Sequence, residues 1–468
     1  MRSLLITTLV IFISVLLLTT SSASASTREL TLSPSGSDSA SGSRSAPLRT
    51  LGAAWRKIPL GNSGSWRLRL KAGNYTSGAP IYWEKRNGPI LIESADGRDQ
   101  AKLPGMNVYR VNGLTLRGVR LDDGGDVFHC EQCKRIRLDR VTLRGHGAQE
   151  TIKINQSSDL VITDSNISGA EDNAFDAVAV RRIKLLRNHF YDAGDWCGYA
   201  KGGSTEVIVR DNLFSECGTG GFIAGQGTGL QFMKPPFTHY EASSVLIEKN
   251  SFRDIEGAAF GVNGAANVLI RRNIATRIGS RSHLIEVGYG SRSCDGSPGD
   301  AGRSRCGSYL RAGGWGTTVV DNGDNYIRIP NSNVLIYDNV LANPVDSPSQ
   351  WQVFFVASSS RPGAGGGVPA GARADNGLRI VGNAIFDGGP DHSLGLSNDG
   401  GCRSGSSCSP AKVIAENEIN GRMPAVSQLS NGWLQVSGWA ASLPNHRPPA
   451  PSLRGRINPE PRLWRNWP

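Results

Sequence analysis

A short strand-like phrase that returns at a nearly constant interval constrains this chain more than any other feature. Each phrase alternates inward apolar residues with outward ones, as in Leu160-Val-Ile162, and such alternation is typical of a β-strand. Successive phrases begin roughly 22 to 24 residues apart, which is a solenoid period. They begin at Leu114, Ile136, Leu160, Ile183 and Val207.

Asparagine often follows these phrases, five residues after the first apolar position. Asn readily adopts the left-handed conformation of a sharp bend, and stacked amides can hydrogen-bond from coil to coil. An apolar residue comes two positions later, as in Asn212-Leu-Phe214, so each coil should contain at least two strands joined by an Asn bend. The asparagines are Asn188, Asn212, Asn250, Asn273, Asn339 and Asn383.

A leucine-rich repeat also combines Leu and Asn at a period in the twenties. It requires several Leu in a fixed frame, whereas the apolar positions here are Val, Ile, Leu or Phe and no helical segment separates them. We therefore predict an all-β fold: a right-handed parallel β-helix with coils of about 22 to 24 residues, an N-terminal cap and loop insertions.

The repeat divides the chain into segments. We predict a signal peptide, a cap with the first coils, a β-helix, and a C-terminal tail in which the pattern fades. Intervals longer than one coil predict three insertions, which in solenoids emerge as loops. The segments are 1–25, 26–105, 106–420 and 421–468, and the insertions lie near 224–243, 287–332 and 345–376.

The N-terminus predicts export. Arg2 precedes an uncharged apolar stretch, and Ala23-Ser-Ala25 fits a signal-peptidase site. The stretch is shorter than the roughly 20 residues that span a bilayer, so we expect a secreted protein without a membrane span.

Eight cysteines in an exported chain indicate disulfides. Cys294 with Cys306 and Cys402 with Cys408 look like local loop staples. Cys130-x-x-Cys133 resembles half a zinc knuckle, but no second CxxC or nearby His pair completes it, so a structural role is favoured.

The net charge of +11 suits a polyanionic partner. Nucleic acid or a cell surface would attract such a chain too, and charge alone does not discriminate among them. We expect an acidic polysaccharide rather than nucleic acid, and a monomer.

Acidic residues on neighbouring coils form the first candidate site. Alignment of the coils by their strand phrases places Asp126, Ala148, Asp172, Asp195 and Thr219 in equivalent positions. Asp172 and Asp195 should then stack at roughly 5 Å, with Asp176 close by. Carboxylates that close repel unless a cation or proton lies between them, and oxygen ligands suit Ca²⁺. The alternative is that these residues cap turns in solvent.

Lys201 lies at a strand end, and the two following glycines keep its surroundings open. Beside a metal cation such a lysine loses its proton more readily, which makes it a candidate base. The alternative is an ordinary surface lysine on a basic protein.

Other side chains between Glu171 and Glu286 are candidates for the same site. His283 and Glu286 are further candidate catalytic residues, since a neutral His near the site can donate a proton to the leaving oxygen. Aromatic or basic residues suited to holding a sugar chain are Trp196, Tyr199, His239 and Arg281.

Two segments resemble a known superfamily. The opening segment, from Ser35 through the amphipathic stretch ending at Trp55, resembles the N-terminal cap of pectate-lyase-like β-helix proteins. The segment from Asp195 to Ser204 is similar to the strand-end Lys of β-helix polysaccharide lyases, which remove the proton next to a uronate carboxylate while Ca²⁺ neutralises that carboxylate. The resemblance implies Lys201 as the base, and as calcium ligands Asp172, Asp176 and Asp195.

Several family motifs are missing from this sequence. The Arg-x-Pro-x-x-Arg setting of a pectate-lyase base, the assembled polygalacturonase motifs and the Asp-Pro-His of alginate epimerases do not occur. The match is thus to a general pattern, which leaves the identity of the polymer open. We expect an enzyme, namely a secreted Ca²⁺-assisted lyase of uronate-containing polysaccharide. A glycoside hydrolase on the same scaffold, using for example Asp172 with Asp195, or Glu286, is one alternative. A noncatalytic glycan-binding or wall-associated protein is the other.

Overall fold

The computed structural model describes residues 26–62, 64–75, 83–294, 300–318, 326–356, 366–388, 392–396 and 401–437. The predicted signal peptide and residues 438–468 of the predicted tail lie outside these ranges. None of the helices in the described ranges is long and apolar enough to cross a membrane.

Each regular coil contains three strands. In one coil these are Arg181–Leu186, His189–Ala193 and Trp196–Lys201, and each pairs in parallel with its counterpart in the next coil. The inward apolar residues of stacked strands form one continuous core, in which the rings of Phe190, Phe214 and Phe252 stack. The predicted right-handed parallel β-helix is confirmed.

The first strands of the coils form one sheet, and the second and third strands form the other. The first sheet contains Arg28–Leu32, Gly61–Asn62, Trp66–Leu70, Arg86–Ser94, Asn112–Arg117, Lys134–Asp139, Ser158–Thr163, Arg181–Leu186, Ser204–Arg210, Ala242–Glu248, Ala265–Arg271, Ser332–Tyr337 and Arg379–Val381. The second contains Gly73–Asn74, Trp83–Glu84, Ala101–Leu103, Met106–Tyr109, Arg120–Asp123, Phe128–Glu131, Thr142–Asn155, Asn166–Val178, His189–Ala193, Trp196–Lys201, Leu213–Cys217, Gly220–Gly225, Ser251–Ile255, Ala258–Asn263, Ile274–Ile278, His283–Gly288, Val340–Asn343, Gln352–Val356, Ala384–Asp387 and Glu418–Ile419.

The predicted asparagine ladder is present. The side-chain oxygen of each Asn accepts a hydrogen bond from the backbone N–H of the Asn one coil before, at 2.9 to 3.0 Å from Asn188 to Asn417. The ladder passes unbroken across the long insertions, because these leave the coils elsewhere. Burial makes the amides from Asn188 to Asn383 expensive to leave unpaired.

The conformational part of that prediction was wrong. The left-handed residue at the bend is the one that precedes each Asn, for example Arg187 with φ 56° and Asp211 with φ 56°. The Asn backbone is not left-handed. What each Asn contributes is its side-chain amide, which hydrogen-bonds along the stack.

An N-terminal cap closes one end of the core. Helix Leu51–Lys57 connects the first two long strands of the first sheet, and it begins at Thr50, whose hydroxyl accepts from the Ala53 N–H at 3.1 Å. Asp38 in turn accepts the Thr50 N–H at 2.8 Å. The cap covers apolar residues that an open solenoid end would expose.

Four disulfides are formed. Cys294 pairs with Cys306 and Cys402 with Cys408, as predicted. Cys130 pairs with Cys133, so that motif is structural. The remaining bond joins Cys197 and Cys217 inside the core, across two neighbouring coils.

The insertions build a side sheet and a helix that the sequence did not predict. Strands Gly227–Gly229, Gly290–Ser293 and Ile327–Ile329 form the side sheet. Helix Asp300–Arg311 packs on the 3₁₀ turn Leu230–Phe232. After helix Pro410–Glu416, a hairpin of Ala425–Gln428 and Leu434–Ser437 folds back, and the Trp433 indole donates to the Asp211 carbonyl at 3.2 Å.

Candidate functional site

The candidate site lies on the outward face of the third strands. Stacking in register puts one outward residue per coil into a column, and one such column contains His129, Lys153, Asp176, Tyr199 and Ile223. Neighbouring members are roughly 4.8 Å apart, as in any parallel ladder. The middle of this column lines a cleft of ≈ 550 Å³, here named the acidic cleft, which also contains Glu150, Asp172 and Lys201.

Glu150, Lys153 and Asp176 form the centre of the acidic cleft. The Lys153 ammonium donates to Oε1 of Glu150 at 2.8 Å and lies 3.8 Å from Oδ2 of Asp176. Both carboxyl groups are nearly inaccessible, with side chains 4 % and 3 % exposed. One cation therefore serves two buried acids.

Burial raises the pKa of Glu150 to about 7, although the hydrogen bond from Lys153 opposes that rise. Burial likewise raises the pKa of Asp176, against the charges of Lys201 and Lys153. Burial alone would lower the pKa of Lys153, but the hydrogen bond to Glu150 and the charge of Asp176 raise it. The cluster thus contains a cation and a carboxyl group able to gain or lose a proton near neutral pH.

Tyr199 and Lys201 form the adjoining part of the cleft. The Lys201 ammonium lies 4.1 Å from the centre of the Tyr199 ring, and it donates to Oε1 of Gln226 at 3.5 Å. Tyr199 itself is buried, and burial followed by the charge of Asp176 raises the pKa of its hydroxyl. Gly202 and Gly203, both with positive φ, turn the chain away directly after Lys201 and leave the lysine at the rim.

Asp172 and Asp195 stack as predicted, since the Asp195 N–H donates to the Asp172 carbonyl at 2.9 Å. The placement of Asp126 and Ala148 in the same slot was wrong. A register irregularity follows Ala148, and the Glu150 N–H points at the Asp126 carboxylate at 3.4 Å, so Asp126 lies beside Glu150 instead.

The three predicted calcium ligands only partly converge. Burial and then the charge of Asp195 raise the pKa of Asp172, as expected for two carboxylates side by side. Asp176, however, faces Lys153 and Tyr199. In the described residues Asp172, Asp176 and Asp195 do not form a group with oxygens within 4.8 Å of one another. A Lys153 ammonium takes the charge-compensating place at Asp176, so this side chain fits a calcium site poorly.

The one group within the described ranges that meets that distance is Asp375 with Cys402 and Cys408. Both cysteines are consumed in a disulfide, so this group offers no thiolate to a metal. Calcium binding stays a prediction.

His283 and Glu286 lie together but apart from Lys201. Nε2 of His283 is 3.4 Å from Oε2 of Glu286, and Oε1 of Glu286 accepts from the Asn263 amide at 2.6 Å. Glu286 lines a second opening of ≈ 680 Å³, here named the distal cleft. The strand register places Glu286 three coils beyond Tyr199, roughly 14 Å along the sheet. Lys201, His283 and Glu286 therefore do not share one reaction centre.

The predicted sugar-binding residues are dispersed. Tyr199 lines the acidic cleft, whereas the Trp196 indole is 2 % exposed and packs over Gly220 and Gly261 of later coils. His239 stacks on Trp315 in an insertion and hydrogen-bonds the Gly313 carbonyl at 2.9 Å, away from both clefts.

Arg281 is also outside both clefts. Its guanidinium forms an exposed ion pair with Glu256. Trp196, His239 and Arg281 thus have structural partners that account for them without a sugar.

Sequence reasoning missed Glu150 and Lys153. The signal was present in the column: counted back one coil from Phe175 and Asp176, Ile152 is the inward residue and Lys153 the outward one. Two register irregularities, one between Arg144 and Ala148 and one between Ala148 and Glu150, obscured this alignment.

Comparisons with known proteins identify the fold. The family described as the right handed beta helix region matches residues 91–234, a segment that contains the acidic cleft's Glu150, Asp176 and Lys201. No curated protein matches the chain significantly.

Three solved structures illustrate the likeness. XylC in complex with xylose is 9% identical, with a TM-score of 0.49, over 86% of this chain and 88% of that one. A rhamnogalacturonan lyase is 11% identical, with a TM-score of 0.39, over 71% and 84%. The A-module of the Azotobacter vinelandii mannuronan C-5 epimerase AlgE4 is 13% identical, with a TM-score of 0.37, over 68% and 86%.

These low scores carry no argument about activity. The stacked parallel coils and the family match over residues 91–234 agree with each other, and they show that the chain is a right-handed parallel β-helix protein.

Proposed function

We propose that this protein is a secreted enzyme that cleaves a uronate-containing polysaccharide in the acidic cleft by β-elimination. The observation that carries the proposal is the shared placement of Lys201, Tyr199 and the Glu150–Lys153–Asp176 cluster around one opening. Perturbed ionisable groups that converge in a cleft are typical of catalytic sites. The positive net charge of +11 would favour the approach of an acidic polymer.

In this reaction Lys201 acts as the base, and its side-chain nitrogen takes the proton from the carbon next to the uronate carboxylate. The electron pair released forms a carbon–carbon double bond, and the bond to the departing sugar oxygen breaks. That oxygen takes a proton from the protonated fraction of Glu150, whose pKa of about 7 suits this role.

Negative charge builds up on the uronate carboxylate during proton removal, and positive charge beside it lowers the barrier. Lys153, which stays an ammonium because its carboxylate partners raise its pKa, supplies such charge within the cleft. Calcium, if bound by the stacked Asp172 and Asp195, would neutralise the same carboxylate as a Lewis acid.

Glycoside hydrolysis is the second candidate, and the pKa of Glu150 favours it specifically. A buried carboxyl group that keeps its proton near neutral pH is the usual acid in that reaction, with a second carboxylate such as Asp172 as its partner. A noncatalytic glycan-binding protein would use the same cleft without turnover.

One experiment separates these functions. Purified mature protein is incubated with a panel of uronate polysaccharides, with Ca²⁺ or with chelator, while unsaturated uronate absorbance and new reducing ends are both followed. We expect absorbance to rise, and Lys201→Ala to reduce the rate by about 10²- to 10⁴-fold. Lys412→Ala changes an exposed lysine on helix Pro410–Glu416 and is the matched control.

Reducing ends without absorbance would move the assignment to a hydrolase, with Glu150→Gln as the variant that abolishes turnover. Binding of a polymer without either signal would leave only the glycan-binding function. A rate that is identical with Ca²⁺ and with chelator would remove calcium from the reaction.

A further inference from the structure

We propose that the distal cleft is a second binding subsite for the same acidic polysaccharide, which makes recognition depend on chain length. This inference rests on the proposed function, because it assigns the distal cleft to a substrate that the acidic cleft cleaves. It gives Glu286 and Phe355 a binding role in place of the predicted catalytic role of Glu286.

The two clefts are parts of one groove. Gly227 and Thr228 line both of them, and these residues belong to the side sheet that borders the third strands. The side sheet is held by buried contacts: the Thr228 hydroxyl donates to Glu241 at 2.7 Å, and Arg292 of the next side strand forms a fully buried ion pair with the same carboxylate. A buried and fully paired support of this kind gives the groove a rigid wall.

The spacing of the clefts fits an extended sugar chain. Tyr199 and Glu286 lie in one column of the sheet, three coils apart, which corresponds to roughly 14 Å. A pyranose residue in an extended chain advances by about the rise of one coil, so a chain must contain roughly three to five residues to occupy both clefts.

The distal cleft has the chemistry of a sugar subsite. Phe355 follows Glu286 in the same column and is 38 % exposed, although it is a large apolar side chain. Its ring stacks on His283 with centroids 5.3 Å apart, which leaves the other side as a flat apolar platform. Arg328 on the side sheet lines the same cleft and offers a guanidinium to a uronate carboxylate.

Glu286 is oriented to accept hydrogen bonds from sugar hydroxyl groups. The Asn263 amide donates to its Oε1 at 2.6 Å, and Asn263 is fixed in turn by the Gly288 N–H, which donates to its side-chain oxygen at 2.7 Å. Any side chain at position 288 would collide with that oxygen, since a Cβ there would come within 2.5 Å of it. Positioning of this kind is what a polar subsite requires.

The test measures binding of oligogalacturonates and oligomannuronates of increasing length, from dimer to octamer, by isothermal titration calorimetry. The measurement uses the Lys201→Ala protein so that bound chains stay intact, and cleavage of the same series is followed with the wild-type protein. Phe355→Ala removes the platform. Trp351→Ala is the matched control. Trp351 is an exposed aromatic residue directly before strand Gln352–Val356, which contains Phe355, and Trp351 lines neither cleft.

We expect affinity to rise until chains reach about four or five residues, and Phe355→Ala to lose about tenfold of the affinity for the longest oligomers. Trp351→Ala should leave the length dependence unchanged. If the wild type cleaves the oligomers but affinity stops rising at the dimer, the distal subsite alone is overturned. The same holds if Phe355→Ala and Trp351→Ala lose equal affinity for the longest oligomers. Neither cleavage nor binding of any uronate oligomer or polymer would overturn the proposed function and the subsite together.

Discussion

Replacement of Glu150 by Gln tests the electrostatics of the acidic cleft directly. Burial raises the pKa of the Glu150 carboxyl group from its ordinary value of 4.5 to about 7. The folded chain therefore holds this proton more tightly than the unfolded chain does. Between these two pH values the folded state binds more protons than the unfolded state, so the free energy of unfolding must fall as pH rises. The difference of pKa corresponds to about 3 kcal/mol of stability lost from about pH 4.5 to about pH 7.

Gln keeps the shape of the side chain and has no proton to lose. We therefore expect Glu150→Gln to abolish this part of the pH dependence, and to be more stable than the wild type above pH 7. The assay is urea unfolding at about pH 4.5 and about pH 8, followed by circular dichroism. Glu131→Gln is the control, since Glu131 lines the same cleft but is not among its buried acids. An equal loss of stability in wild type and Glu150→Gln over this range would refute the reasoning.

Two predictions concern the scaffold. Asn212→Ala removes a buried side-chain amide that accepts a hydrogen bond from Asn188 and donates to Leu185 and Asn250. The substitution should lower the free energy of unfolding by about 2 to 4 kcal/mol, and Asn417→Ala, at the half-buried end of the ladder, should lower it by about half as much. Equal losses of the two variants in urea unfolding would contradict the role of the ladder. Replacement of Cys197 and Cys217 together by Ser opens a loop of 20 residues and should cost about 3 kcal/mol, which the shift of the thermal midpoint measures. A midpoint unchanged from that of the wild type would show that the coils hold this region without the bond.

The fold was predictable because its signals are local. Alternation within a strand and a constant interval between strands are properties of neighbouring residues, and stacking simply repeats them. The same logic predicted that Asp172 and Asp195 would meet, since a constant period makes register a matter of counting. Counting failed between Arg144 and Glu150, where two irregularities shifted the register and hid Lys153.

Trp196 shows a second way in which counting falls short. The indole packs beside the outward residues Tyr199 and Ile223, and an aromatic residue on this side of the sheet suggests sugar stacking. Glycines on later coils, Gly220 and Gly261, leave room for the ring to lie flat and become buried. Whether an outward side chain is exposed depends on residues that lie one or more coils away.

The sequence by itself determined the coil period, the parallel stacking, the asparagine ladder and the local disulfides, because each depends on residues at a fixed separation along the chain. Only the tertiary structure decided which groups titrate near neutral pH and which openings join into a groove. Glu150 has a raised pKa because other coils exclude water from it, and Lys201 is separated from Glu286 by three intervening coil steps. The burial of a side chain and its distance from side chains of other coils depend on many residues that are remote in the sequence. No local sequence pattern therefore predicts them.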